Sequence, residues 1–326
     1  MLNLLAMYKA QSPTGKPILL AENISEDIPF FVIDQLPEAL EFYQENGFLL
    51  FRNFLPREKC LNLHARFKNE IKTYSQPLPR ITGFSEANIL NDQGFVMNAL
   101  MNVHHLSSKQ FEAYSSDVIA LLTQANLNKF ARALLNGPIG LNTWNQFEGN
   151  PVTPPHHDCY FWGSDLKVGE VLGAWVALED IHPGAGRLFV YPGSHKLDIN
   201  DFAISAGHKN VKLDPCDTEY KEIVMEFLKT DQLECKAPYL RAGDILFWDA
   251  RTIHGSLATL DPQFSRASFT AHYRSELGRF HPKGTREKRT NDISVSYPKF
   301  NLKKFINKRM PLVKLAYQKA QELLKI

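Results

Sequence analysis

The hydrophobic pattern of the 326-residue chain changes character near residue 139. Before it, apolar residues recur at helical spacing. Pro37 opens "PEALEFYQENG", in which Leu40, Phe42 and Tyr43 share a face and Gly47 supplies a C-terminal stop. "FLLFRNFL" reads as a short strand, and "REKCLNLHARFKNEIKTY" as a second amphipathic helix. More helix is predicted from Phe111 to Leu135, ending at Gly137-Pro138. From Ile139 onward, short runs of period-two character alternate with Gly/Pro turns: "IGLNTWNQF", "LGAWVALED", "RLFVYPGS", "DILFWDA", "TIHGSLA" and "RASFTAHY". Strands of this kind predict a barrel or sandwich, with the N-terminal helices packed on it. Between Lys196 and Leu240 lies a polar insertion too long for an ordinary strand connection, so a lid or excursion is expected there. The C-terminal segment reads as a helix pair split by Pro311. Leu302, Phe305, Ile306, Val313, Ala316, Ala320, Leu323 and Leu324 form its apolar stripe, and lysines fill the opposite face.

Charge adds one asymmetry. The net charge is only +2, which argues against a dedicated nucleic-acid binder. Gly278 to Ile326, however, holds 13 Lys and Arg against 3 Asp and Glu, leaving −8 on the remainder. Docking of the apolar stripe on the sheet is the expected role of this tail; peripheral contact with an anionic membrane surface is the rival. Cys60, Cys159, Cys216 and Cys235 are scattered without a C-x-x-C pair, which suits reduced thiols in a cytoplasmic protein. No run approaches the length of a spanning helix, and the opening residues lack the basic start of a signal peptide.

The candidate chemistry is concentrated in "PVTPPHHDCYFWGSD". If "HHDC" enters a strand, His156 and Asp158 point to one face and His157 to the other. His-x-Asp alone is a weak motif, expected about once by chance in a chain of this composition. A third candidate ligand, His254, lies 96 residues further on, beyond the turn and strand of "RAGDILFWDARTIHGSLA". That separation is too long for a local zinc module. It suits a jelly roll, in which distant strands become neighbours across the barrel mouth. Two His and one carboxylate with open positions is the ligand set of non-heme Fe(II) oxygenases. Twelve residues after His254, Arg266 shares a face with Ser268 and Thr270, and its planar fork suits the far carboxylate of a bound 2-oxo acid.

With these residues in place, the sequence resembles the phytanoyl-CoA dioxygenase family of Fe(II)/2-oxoglutarate oxygenases. The resemblance is carried by His156 and Asp158, by "WVALEDIHPGAGRLFVYPGSH" (Trp175 to His195), by "AGDILFWDARTIHGS" (Ala242 to Ser256) and by "SRAS" (Ser265 to Ser268). It runs from about Pro37 to Tyr273. It implies an α+β fold with a mainly β core, a double-stranded β-helix (jelly-roll) barrel flanked by N-terminal and C-terminal helices. One domain over 1–326 is expected: a mainly helical part at 1–138, a jelly-roll core at 139–273 with an insertion at 196–240, and a basic helical extension at 278–326. It also implies His156, Asp158 and His254 as iron ligands, and Arg266 and Ser256 as holders of 2-oxoglutarate. Trp175 would line the cosubstrate pocket, and Asn142, Trp144 and Gln146 are candidates for reaching the cosubstrate from their strand.

The implied reaction consumes 2-oxoglutarate and O2, releases succinate and CO2, and hydroxylates an unactivated C–H of a small molecule: a natural product, a lipid-like compound or an amino-acid derivative. Related halogenases leave the Asp158 position without a carboxylate, so its presence favours hydroxylation; desaturation or ring closure would use the same residues. A cupin-like metal enzyme without a 2-oxo acid leaves Arg266 and Ser256 unexplained, and a non-catalytic barrel has no need of all three ligands. Tyr160, Phe161 and Trp162 stand near enough to the iron for substrate contact, and Arg80 and Phe84 are candidates in a lid at Gln76–Gly94. His195 reads as a turn-stabilising residue, and His272 as a hydrogen-bonding residue inside the barrel. A monomer or homodimer is expected.

Overall fold

The computed structural model describes residues 8–23, 27–102, 104, 109–162, 166–208, 217–231, 233–280 and 285–298. The chain opens with a hairpin of β1 (Tyr8–Gln11) and β2 (Pro17–Leu20). Helix α1 (Leu36–Asn46) stops at Gly47, whose φ of 75° suits a residue without a Cβ. A Cβ there would also lie 2.3 Å from His195 Nδ1, so the stop brings the helix end close against the "PGSH" turn. β3 (Phe48–Phe51) follows, then α2 (Arg57–Arg66), which runs on through a π-helical turn at Phe67–Ile71. Three two-residue strands, β4 (Leu78–Pro79), β5 (Ser85–Glu86) and β6 (Leu100–Met101), lead to α3 (Glu112–Leu122) and α4 (Ala125–Leu134).

The second half supplies β7 (Ile139–Phe147), a single helical turn α5 (Cys159–Trp162), β8 (Val171–Ala177) and β9 (Leu188–Val190). The helices α6 (Ile199–Ser205) and α7 (Thr218–Thr230) precede β10 (Ile245–Asp249), β11 (His254–Ser256) and β12 (Ser268–Ser275). A last hairpin is formed by β13 (Thr285–Thr290) and β14 (Ile293–Pro298). The order β13-β14-β7-β12-β8-β10-β3, with β6 beside β7, makes one eight-stranded sheet; β9 and β11 form a separate antiparallel pair. The result is a mixed α+β chain with a mainly β core.

Both faces of the large sheet are buried. One face carries Leu141, Trp144, Leu172, Ala174, Phe247, Phe269 and Tyr273 into a core shared with the N-terminal helices, where Tyr43, Phe67, Val118 and Phe130 meet them. The other face packs Trp175, Leu246 and Trp248 against Leu188 and Val190 of β9. Burial of such large side chains contributes about 1.5–3 kcal/mol each, and it clamps the strands between two layers.

The long insertion is an excursion with a core of its own. Ile199 and Ala203 of α6 and Tyr220, Ile223, Val224, Phe227 and Leu228 of α7 pack on Phe189, Tyr191 and Ile253. Two expectations are corrected. "HHDC" does not form a strand: His156 makes a single bridge to His254, and Asp158 leads directly into α5. Thr285–Pro298 is a β-hairpin where a helical extension was expected. There Ile293 and Val295 alternate with Ser294 and Ser296, the period of a strand, and β14 adds to β7 in parallel. The apolar stripe from Leu302 to Leu324 lies outside the described residues. Among the described residues no helix is long and apolar enough to cross a membrane.

Candidate metal centre and its cavity

His156 and His254 are joined by their backbones. The His156 N–H donates to His254 O at 3.0 Å, and the His254 N–H to His156 O at 3.1 Å. Each imidazole then donates its Nδ1–H to a nearby carbonyl: His156 to Pro154 O at 2.9 Å and His254 to Thr252 O at 3.0 Å. A carbonyl only accepts, so both rings are held in the tautomer whose Nε2 lone pair is free. Those two Nε2 atoms face Asp158 Oδ1, at 3.5 Å and 3.6 Å. Donor atoms from the three residues all lie within 4.8 Å of one another, close enough to share one ion. Ligands oriented by hydrogen bonds on their far side are the pattern expected of a metal site.

The electrostatics agree with the geometry. Burial opposes ionisation of Asp158, but the imidazoles of His254, His272 and His156 outweigh it and hold the carboxyl well below the usual carboxylate range. Burial pushes His254 down to about 4 against the pull of Asp158, so its imidazole is neutral near pH 7. A carboxylate beside the neutral imidazole of His254 is a protonation state that suits binding of a divalent metal. His157 points elsewhere. Its backbone N–H donates to Tyr220 Oη at 2.8 Å, and its Nδ1 lies 3.0 Å from the same oxygen, so α7 of the insertion holds the ligand loop from behind.

The cluster opens into a cavity of about 420 Å³ between the large sheet and the β9–β11 pair. Arg266 lines the same cavity, 3% exposed, just before β12. Its backbone N–H donates to Glu148 O at 2.7 Å and its guanidinium lies 5.4 Å from the Phe147 ring centroid. Its Nε has no hydrogen-bond partner, and it makes no ion pair among the described residues. Burial pushes the guanidinium down to about 10 with no compensating charge. A buried arginine without a protein anion is costly and fits a site for an anionic ligand. Trp175 also lines the cavity.

Strand β7 reaches the cavity with its other face. Thr143, Asn145 and Phe147 line it, whereas Trp144 and Gln146 turn to the helices: the Trp144 indole donates to His104 Nδ1 at 2.8 Å, and Gln146 accepts from the buried Tyr114 hydroxyl. Asn142 is the extra residue of a bulge, since His272 pairs with Thr143 and Tyr273 with Leu141. Ser256 does not line the cavity either. Its hydroxyl donates to Asn150 Oδ1 at 2.9 Å and accepts from the Thr153 N–H at 2.7 Å, bracing the loop that carries the ligands.

Of the candidate substrate residues, Trp162 and its neighbour Phe161 line the cavity, while Tyr160 packs on Tyr220 and accepts from Asn200. Arg80 is buried and donates to Glu86 O, Asn98 O and Asn88 Oδ1, which makes it a structural brace. Phe84 is exposed on the β4–β5 connection and does not line the cavity; Ile81 of that connection and Met101 of β6 do. Thr270, His272 and Trp248 complete the inner wall. His272 and Thr270 were within reach of the sequence, because they alternate with Arg266. Trp248 carried no such signal.

A family model described as Phytanoyl-CoA dioxygenase (PhyH) matches residues 43–267. "Phytanoyl-CoA dioxygenase domain-containing protein 1" of Bos taurus is 24% identical over 276 residues, spanning 74% of this chain and 91% of the bovine one. "Phytanoyl-CoA dioxygenase, peroxisomal" of Rattus norvegicus is 26% identical over 258 residues, spanning 73% of this chain and 68% of its own. Among solved structures, the non-heme alpha ketoglutarate dependent epimerase SnoN from nogalamycin biosynthesis superposes with a TM-score of 0.56 at 21% identity, over 81% of this chain and 98% of that one, a likeness of fold. The matched stretch exceeds half of the sequence and takes in the whole cluster together with Arg266, and by that extent the chain belongs to the phytanoyl-CoA dioxygenase family.

Proposed function

We propose that the protein hydroxylates an unactivated C–H bond of a small molecule, with His156, Asp158 and His254 holding Fe(II) and Arg266 holding 2-oxoglutarate. Iron- and 2-oxoglutarate-dependent oxygenase chemistry follows from the family. The observation that carries the assignment of residues is the pairing of a three-residue donor cluster with a buried, unpartnered arginine on one cavity wall. When bound, iron and 2-oxoglutarate supply the oxidation by O2 and release succinate and CO2.

The chain's own residues do the rest. Pro154 O and Thr252 O keep both imidazoles aimed inward. Arg266 offers a rigid fork to the carboxylate that lies farther from the metal, and Trp175 and Thr270, cross-strand partners, flank that end of the cavity. Ile81, Met101, Phe161 and Trp162 form an apolar wall that would keep water from the reacting carbon. Phe161 sets its edge towards His156, with ring centroids 5.7 Å apart.

The test is a screen of fractionated metabolite pools with 2-oxoglutarate, with and without Fe(II), reading succinate and product mass. Iron-dependent succinate release coupled to a product heavier by one oxygen atom is expected. A desaturated or cyclised product would refute hydroxylation while keeping the oxygenase. Iron-independent release would refute both.

A further inference from the structure

Asp158 presents its two oxygens to different partners. Oδ1 faces the two ligand imidazoles, and Oδ2 accepts from the Trp248 indole N–H at 2.7 Å. His272 Nε2 lies 3.3 Å from the same oxygen, in close polar contact short of hydrogen-bond geometry, and it has no other partner. At the other end of the ring Thr143 Oγ1 lies 3.0 Å from Nδ1, and a hydroxyl there can donate or accept. The Nε2 lone pairs of His156 and His254 would share an ion with Oδ1, but a lone pair on His272 Nε2 would meet Oδ2 directly and be repelled. With the Thr143 hydroxyl donating to Nδ1, Nε2 carries the hydrogen and sets its positive end beside Oδ2. Space for the indole comes from Gly173 on β8, because a Cβ there would lie 2.0 Å from Trp248 Cε2. The indole is 1% exposed, and its ring centroid lies 4.6 Å from that of His254.

We propose that Trp248 and His272 are positioning residues that jointly hold Oδ2 of Asp158, so that the carboxylate offers only Oδ1 to the metal. This rests on reading the cluster as a metal centre. A carboxylate free to turn could take a metal through both oxygens and occupy a position needed by cosubstrate or O2. The indole hydrogen bond from β10 and the imidazole contact from β12 together remove that freedom. Donors behind a ligating carboxylate commonly change metal affinity by about ten- to a hundredfold when lost.

The experiment uses the full chain and Co(II) alone as an optical probe, titrated without oxygen, with melting curves run beside it. Trp248→Phe keeps the aromatic bulk and removes the N–H; His272→Leu removes a donor that His272→Gln retains. Trp248→Phe and His272→Leu should each bind Co(II) about tenfold or more weakly, with a weaker visible band as the carboxylate turns and the coordination number rises. His272→Gln should stay near the wild type. Gly173→Ala, which displaces the indole without altering it, should resemble Trp248→Phe. Binding and spectra unchanged in Trp248→Phe and His272→Leu would overturn the proposal while leaving the metal centre standing, and so would equal losses in both His272 variants. A wild type that binds neither Co(II) nor Fe(II) would instead remove the metal centre and the proposal with it.

Discussion

Arg266→Met separates an anion site from a structural arginine by the sign of its effect. The side chain is buried, its Nε lacks a partner, and burial alone takes the guanidinium from 12.5 down to about 10. At about 1.4 kcal/mol per pH unit, that corresponds to about 3–4 kcal/mol by which the buried charge destabilises the free protein. For a base whose folded pKa is depressed, this cost is full at pH values below the folded pKa, so it applies throughout the neutral range. Methionine keeps most of the stem against Phe147 and removes the charge. The variant without ligand should therefore melt at or above the wild-type temperature, although most core substitutions lower it. Wild-type protein loaded with Mn(II), which does not turn over, should gain about 2.7 kcal/mol when 2-oxoglutarate is present at 100 times its Kd. The variant should lose most of that gain. Scanning calorimetry with and without 2-oxoglutarate reads both effects. A variant that melts far lower without ligand, or one that keeps the full 2-oxoglutarate shift, would refute the assignment.

Two further outcomes follow from the packing. Asn145→Leu should depress substrate-dependent succinate release with a nearly unchanged melting temperature. Gln146→Leu should leave the Tyr114 hydroxyl buried without its acceptor and cost about 1–3 kcal/mol in chemical denaturation; the opposite pattern would mean that the faces of β7 are assigned the wrong way round. His64 is the acid-sensitive group of the helical layer: burial, with Lys68 and Lys72 adding to it, pushes its imidazole from 6.5 down to about 4. The folded chain then binds fewer protons than the unfolded chain below pH 6.5, so stability should fall between pH 6.5 and about 4. The slope is up to about 1.4 kcal/mol per pH unit, and His64→Gln should flatten it in denaturation midpoints. Parallel slopes for variant and wild type would show that His64 is not the group responsible.

What the sequence determined on its own was local or chemical in kind. Short, largely apolar runs punctuated by Gly and Pro turns marked β7 to β12, because strand length and turn chemistry are local, and the helical spacing before residue 139 marked α1 to α4. The three donors were legible because few residue types bind metal, and Arg266 because an arginine in a strand-like run asks for an anion. Which side of a strand looks at the cavity was decided by tertiary structure alone. With both faces of the large sheet buried, the adjacent polar residues Asn145 and Gln146 face the cavity and the helices respectively, so polarity does not tell one face from the other, and the bulge at Asn142 shifts the phase within β7. Arg80, expected to meet substrate from a lid, is closed in by three acceptors of its own neighbourhood, and the hydroxyl of Ser256, expected to hold 2-oxoglutarate, is bonded to Asn150 and Thr153. Asp158 shows the same division. Its identity as a carboxylate two residues from a histidine is written in the chain, but its second oxygen is held from Trp248 and His272, 90 and 114 residues away, and only the pairing of β10, β8 and β12 brings those donors to it.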